Sequence, residues 1–352
     1  MARKARGESV DPERVQVFHL TARCVRRAFL CGTDCYTGMD YSHRKEWIQQ
    51  RMEFVATVFG IDLLSFAIMS NHSHQVVRTR VDLVLTWSPE EIARRWLTLY
   101  PAKRNKDGTP RKPTKAQINK IVKNPTRLAE LRRRLSDISW WMKSISEYVA
   151  RKANKEDECT GRFWEGRFES VEILDEAGVL ACATYVELNP IRAAMAETPE
   201  TSEHTSAKSR IDDLKEANQA KPVRERDRVL KHSRFLSPVQ IDERNDPIGP
   251  DPDDSGFRAS LKGFLPISLE QFLELIDWTG RNIRSDKRGA IPANLDPIMN
   301  RLGINTGSWC KLIETFKSCF KRVVGSPSQL EDAAKARGQQ RLQAPGLGLL
   351  YK

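Results

Sequence analysis

The sequence predicts an α+β fold: an antiparallel sheet with helices packed on one face, followed by a mainly helical C-terminal extension. Three observations carry that prediction. Short strand-like runs occur at residues 15–23, 63–69, 72–79 and 168–174. Longer stretches of helical periodicity separate them. The order is strand, helix, two strands in a hairpin, helices, strand, helix, which suits a layer of sheet against a layer of helix.

Residues 15–23 place Val15, Val17, His19 and Thr21 on one face and Gln16, Phe18, Leu20 and Ala22 on the other. Both faces are largely apolar, as in a central strand. Residues 41–59 carry Trp47, Met52, Val55, Ala56 and Phe59 at helical spacing, with Gly60 as the expected C-terminal cap. Residues 63–69 and 72–79 form a hairpin about the Ser70-Asn71 turn. Residues 89–99 are a helix with proline in the first turn, and 101–113 a loop. Residues 128–154 read as one long helical pattern, with Ile138, Trp141 or Met142, Ile145 and Tyr148 or Val149 facing the core. Gly161 and Gly166 flank an irregular segment before the strand at 168–174. Asp175 caps a helix to about residue 188, stopped by Asn189-Pro190. This is the split βαβ pattern of ferredoxin-like folds, with a basic insertion near 81–127. Three regions are expected: a folded domain over 10–200, a polar linker with scattered helix over 201–260, and a small helical region over 261–340. The last holds helices near 268–277, 295–302 and 309–323, with a tail beyond Gln340.

The 352 residues are 39% hydrophobic and 30% charged, a globular balance. No stretch approaches the roughly 20 apolar residues of a membrane span, and no apolar run follows the basic N-terminus. Cys24, Cys31, Cys35, Cys159, Cys182, Cys310 and Cys319 include no Cys-x-x-Cys pair, so neither a disulfide framework nor a zinc knuckle is expected. Cys24, Cys31 and Cys35 with nearby His43 are either an adventitious metal site or ordinary thiols. Lys plus Arg number 58 against 46 Asp plus Glu, a net charge of +12. Between residues 103 and 134, 12 Lys and Arg face only Asp107 and Glu130. So local an excess points to a nucleic-acid partner, since each neutralised phosphate releases counterions.

His72 and His74 stand two apart on a predicted strand, so both imidazoles point the same way and can share one divalent ion. Gln75 points to the other face. Imidazole suits transition metals, while Mg²⁺ or Mn²⁺ would need added oxygen ligands. Such an ion would polarise a scissile phosphate. Hydrogen-bonded polar histidines are the other reading of the pair.

Four blocks stand in order: Phe18-His-Leu-Thr-Ala-Arg23, Met69-Ser-Asn-His-Ser-His74, Gly161-Arg-Phe-Trp-Glu-Gly-Arg-Phe168 and Tyr185-Val-Glu-Leu-Asn-Pro-Ile-Arg-Ala193. Together they resemble the transposases built on an HUH nuclease domain, and more narrowly the insertion-sequence-200-like and REP-associated tyrosine transposases. The resemblance covers about residues 10–200. It implies a ferredoxin-like HUH nuclease fold, Mg²⁺ or Mn²⁺ held by His72 and His74, and single-stranded or hairpin DNA as substrate. It implies a tyrosine that attacks a backbone phosphate, leaving a 5′-phosphotyrosine and a 3′-hydroxyl. No nucleotide cofactor is needed, because the phosphotyrosine keeps the bond energy. DNA transposition by a monomer or homodimer in a bacterial cytoplasm, associated with the nucleoid, completes the expectation. Ser73 stands where the family motif has a hydrophobic residue.

The nucleophile is expected to be Tyr148. The resemblance sets a tyrosine five residues before an asparagine. Here Asn154 is that asparagine and the expected third metal ligand, Val149 occupies the position, and Tyr148 lies one earlier, about 100° round the helix. Tyr148 is therefore nucleophile or core aromatic, seven after Trp141. With no tyrosine in place, the chain would bind DNA hairpins without cutting them; RNA binding is a third reading. Arg162, Arg167 and Arg192 are expected phosphate contacts through their guanidinium forks. Arg23 and, from the basic run, Arg132, Arg133 and Arg134 join them. Trp164 either stacks on an unpaired base or closes the core. His19 is structural or lines the site, and Tyr185 is expected in the core with Leu180, Ala181 and Leu188.

Overall fold

The computed structural model describes residues 10–25, 31–33, 38–106, 110–219, 231–242, 257–283, 309–316, 323–340 and 342. Their elements run β1 (Val17–Arg23), α1 (Arg44–Ala56), β2 (Ile61–Ile68), β3 (His72–Thr79), α2 (Val81–Thr86), α3 (Pro89–Leu99), α4 (Lys115–Val122), α5 (Pro125–Arg134), α6 (Ile138–Glu156), β4 (Glu169–Ile173), α7 (Glu176–Glu187), α8 (Asn189–Arg192), α9 (Ser206–Gln219), α10 (Leu269–Ile283), α11 (Trp309–Glu314), β5 (Val323–Val324) and α12 (Pro327–Ala336). The helix expected at 295–302, Cys35, Cys319 and nearly all of the tail past Gln340 lie outside the described residues.

The described residues form a mixed α+β structure around a five-stranded sheet of order β2-β3-β1-β4-β5. β3 is antiparallel to both β2 and β1, β4 is antiparallel to β1, and β5 is parallel to β4. β1 and β2 therefore run the same way, as do β3 and β4, and each pair needs a crossover. α1 makes the first and α2–α6 the second. Right-handed crossovers put both on one face. There α1 and α6 share a core with Phe18, Leu20, Ala22 and Val77.

Helices cover both faces of the sheet rather than one, which corrects the sequence expectation. On the second face Val17, Leu64, Ala67 and Val76 meet α7, α10 and α11 through Leu180, Phe272, Ile276, Trp309 and Leu312. The strands explain why. β2 is buried along its whole length, and β3 everywhere after its first residue. One helical layer would leave half of an apolar sheet in water.

Other boundaries also move. The pattern over 128–154 is two helices, because Asp137 accepts from the Ser139 amide at 2.6 Å and starts α6 afresh. Gly60 is not the cap of α1, which ends at Thr57. A Cβ on Gly60 would lie 2.0 Å from Val84 Cγ2, so its missing side chain admits α2 against the start of β2. α7 does end at Glu187, just before Asn189-Pro190 as expected, but Pro190 then sits in the first turn of the short α8, where a missing N–H costs nothing. Val323 pairs in β5 instead of ending a helix.

Where it is described, the stretch expected as a linker packs against the sheet. Arg210 of α9 lies 3.8 Å from Glu187, both buried, and Ser65 Oγ and the Ala207 amide donate to Glu187 at 2.7 and 2.8 Å. Arg78 Nη1 donates to the Gly263 carbonyl and Ser260 Oγ to Asp62, each at 2.8 Å. These segments are polar in composition because their polar groups satisfy one another inside the protein.

Candidate functional site

Sheet register assembles the site. Thr21 of β1 lies opposite His74 of β3, and Arg23 opposite His72. The two-residue period puts His19, Thr21, His72 and His74 on one face, the face covered by α7, α10 and α11. The His72 and His74 rings meet edge to face with centroids 4.8 Å apart. His72 Nδ1 is 2.6 Å from Asn71 Oδ1. An amide oxygen only accepts, so this bond sets the proton on Nδ1 and directs the lone pair to Nε2. His74 Nδ1 is 3.0 Å from His19 Nε2 and 3.2 Å from Thr21 Oγ1. Burial, and then the charge of His72, lower the His19 pKa to about 4, so that ring is neutral at neutral pH.

Tyr185 completes the cluster. Asp175 caps α7 by accepting from the Gly178 amide at 2.9 Å, and the helix then carries Tyr185 onto the histidine face. Its ring stands edge-on to His74 at 5.8 Å and to His19 at 6.2 Å, and stacks on Phe316 at 4.1 Å. Tyr185 is 5% exposed. Burial raises its pKa, opposed by the Arg192 guanidinium and by hydrogen bonds from Arg192 and Asn189. The Arg192 guanidinium carbon lies 4.9 Å from the ring centre, and Nη2 donates to the Glu314 carbonyl at 2.6 Å. Asn189 Nδ2 donates to the Tyr185 carbonyl at 2.8 Å, one helical turn on.

Tyr148 and Asn154 are not brought to the histidines. α6 packs on the opposite face, where Trp141 Nε1 donates to Gln75 Oε1 at 2.7 Å. Gln75 alternates away from His74, so the sheet stands between Tyr148 and both imidazoles. Tyr148 is 37% exposed, with the Arg51 guanidinium 4.9 Å from its ring centre. Asn154 Nδ2 donates to the Gly161 carbonyl at 3.1 Å. Trp164 is half-buried against the α6 core, its Nε1 donating to the Ser146 carbonyl at 2.8 Å. Arg23, Arg133, Arg162 and Arg167 are exposed. Arg132 instead donates to the carbonyls of Val84 and Trp87, and Arg134 pairs with Glu130 and lies 4.0 Å from the Trp140 ring centre. Those two hold α5 in place.

Tyr185 lies in the core with Leu180, Ala181 and Leu188, as expected, and His19 lines the histidine face; sequence reasoning missed that this core position meets His74, and it missed Thr21 and Asn189. Two signals were there. Tyr185 and Asn189 are four apart, on one helix face. β1 also alternates Phe18, Leu20 and Ala22 against His19 and Thr21, so one of its faces is markedly more polar.

Among the described residues no group of three or more His, Cys, Asp or Glu could hold a metal ion. Any ion at His72 and His74 would need further donors from outside these residue types. Near His43, burial pushes the Cys31 thiol up to about 12, which leaves it an ordinary thiol. No described helix is long and apolar enough to cross a membrane.

No family model matches the chain, and no curated protein matches it. Among solved structures it is similar to a REP-associated tyrosine transposase bound to a REP hairpin, at 10% identity and a TM-score of 0.33. That match covers 59% of this chain and 82% of the other.

Proposed function

We propose that the protein cleaves and rejoins single-stranded DNA by attack of Tyr185 on a backbone phosphate held at His72 and His74. The observation that carries this reading is the Tyr185 ring standing 5.8 Å from His74, on the same sheet face. The strand order and directions support a ferredoxin-like core of the HUH nuclease type, and the four sequence blocks support the same class. Tyr185 replaces Tyr148 as nucleophile in this reading.

The donor set fits Mg²⁺ or Mn²⁺. Both Nδ1 atoms are engaged by neighbours, so both rings would ligate through Nε2, with phosphate oxygens and water as the hard donors such ions require. When bound, the ion polarises the scissile phosphate. The protein's own groups do the rest. Arg192 stabilises the Tyr185 phenolate. The Tyr185 oxygen bonds to phosphorus as the bond to the 3′-oxygen breaks. The phenol proton goes to solvent and the 3′-oxygen takes one up. The bond energy stays in the phosphotyrosine, so a 3′-hydroxyl can reverse the step.

A second reading, hairpin binding without cleavage, is favoured by the 5% exposure of Tyr185 beneath Phe316. Covalent capture separates the two. A labelled hairpin with single-stranded flanks is incubated with Mn²⁺ and run under denaturing conditions. Wild type and Tyr148→Phe should form the adduct; Tyr185→Phe and His74→Ala should lose it, as should wild type with chelator. Loss in Tyr148→Phe with retention in Tyr185→Phe would return the nucleophile to α6. Binding with no adduct would establish the second reading.

A further inference from the structure

We propose that a cleft on the sheet face opposite the histidines takes one unpaired DNA nucleobase with its phosphate. The site rests on the reading above only in that the strand is the one held at His72 and His74. The cleft has a volume of about 180 Å³ and is lined by Met142, Lys143, Ser146, Trp164, Arg167 and Phe168, with Ala22 of β1 also in its wall. That is well under the roughly 300–1,000 Å³ of pockets that bury drug-sized ligands, and it suits a single heterocycle. Among the described residues its lining offers two aromatic rings, two cations and no carboxylate. Aromatic faces stack on any base, and Lys143 and Arg167 match a phosphate.

Trp164 is held in place from two sides. Its Nε1 donates to the Ser146 carbonyl at 2.8 Å. Its segment also extends the β1 edge: the Val25 amide donates to Phe163 and the Glu165 amide to Arg23, both at 2.9 Å. Such a ring is preorganised for stacking and loses little freedom on binding.

The cleft's position ties it to the histidines. Ala22 is the register partner of Ser73, the residue between His72 and His74, with its side chain on the opposite face. β1 ends at Arg23, β3 starts at His72 and β4 starts at Glu169, so cleft and histidines share one end of the sheet. Exposed Arg23 and Arg167 stand at that end. A single strand rounding it would present a phosphate to the histidines and a neighbouring base to the cleft.

Fluorescence anisotropy tests this with a DNA hairpin carrying a single-stranded flank, against the same hairpin blunt-ended, without divalent metal. Wild type should prefer the flanked hairpin by roughly five- to a hundred-fold, the range of one base–aromatic stack. Trp164→Ala should abolish the preference and Lys143→Ala, at an exposed position, should reduce it. Trp164→Phe keeps an aromatic ring and should keep most of the preference. One abasic flank nucleotide should weaken wild type as much as Trp164→Ala does, and should weaken that variant no further. A preference unchanged in both Trp164→Ala and Lys143→Ala overturns the proposal, as does an abasic flank bound as tightly as the intact one, or an RNA flank bound more tightly than DNA. Capture reports separately on the cleavage reading: adducts with flank-insensitive binding sink the cleft alone, and flank-dependent binding without adducts sinks cleavage alone.

Discussion

His74 is oriented from behind by His19, whose Nε2 lies 3.0 Å from Nδ1. A neutral acceptor there fixes the tautomer without adding charge, which is the part a carboxylate plays behind many metal-bound histidines. His19→Ala should therefore weaken Mn²⁺ binding by about 10- to 100-fold, read by titration calorimetry, and His19→Gln should restore part of it. Unchanged affinity in His19→Ala would mean that Thr21 suffices. His204 shows a different residue-scale effect. It sits at φ 57°, its carbonyl accepts from the Ile68 amide at 3.1 Å, and its Nδ1 is 2.9 Å from Gln49 Oε1. Burial first, and then Lys45, lower its pKa below the usual 6.5. The unfolded chain thus binds a proton that the folded protein refuses, so this contribution is full above pH 6.5 and lost as pH falls through the folded value. His204→Asn, whose side chain tolerates left-handed backbone, should flatten the fall in stability below pH 6.5, measured as urea midpoints across pH. An unchanged slope would assign it to other groups.

At the scale of elements, the break between α5 and α6 matters most, because it aims α6 at the sheet. Asp137 makes that break through its bond to the Ser139 amide at 2.6 Å. Asp137→Ala should cost about 0.5–2 kcal/mol, seen as a lower denaturant midpoint at constant slope. A neutral substitution would show that packing of Ile138 and Trp141 alone starts the helix. Helical periodicity ran straight through this point in the sequence, since one polar residue barely perturbs a 3.6-residue pattern. The strands were easier to read. β3 was expected at 72–79 and is His72–Thr79, its start marked by the Ser70-Asn71 turn.

For the molecule as a whole, one buried polar network joins residues near 260 to the sheet. Asp62 accepts from Arg78 Nε at 2.9 Å and from Ser260 at 2.8 Å, and Arg80 Nη1 lies 3.4 Å away. All three charged side chains are buried. Asp62→Ala should cost about 3–5 kcal/mol by leaving the buried Arg78 guanidinium without its carboxylate, while Arg80 keeps its pair with Asp82 at 2.9 Å, read from equilibrium unfolding. A loss below 1 kcal/mol would mean that water reaches the network once the carboxylate is gone. The segments after residue 200 thus belong to the same packed body where they are described. Phe316, just after α11, supplies the ring on which Tyr185 stacks.

The residue order by itself determined the first four strands, the pairing of His72 with His74 on one strand face, and the concentration of basic charge over 103–134. Those features depend on periods of two and on local composition, and both survive any tertiary arrangement. Tertiary structure alone decided which tyrosine the histidines meet. A helix's periodicity reveals its apolar stripe but not which face of a sheet that stripe will cover. Here α6 covers the face of Phe18, Leu20 and Gln75, and α7, with the distant Phe316, covers the face of His19, His72 and His74. Tyr148 and Tyr185 are thereby placed on opposite sides of one sheet.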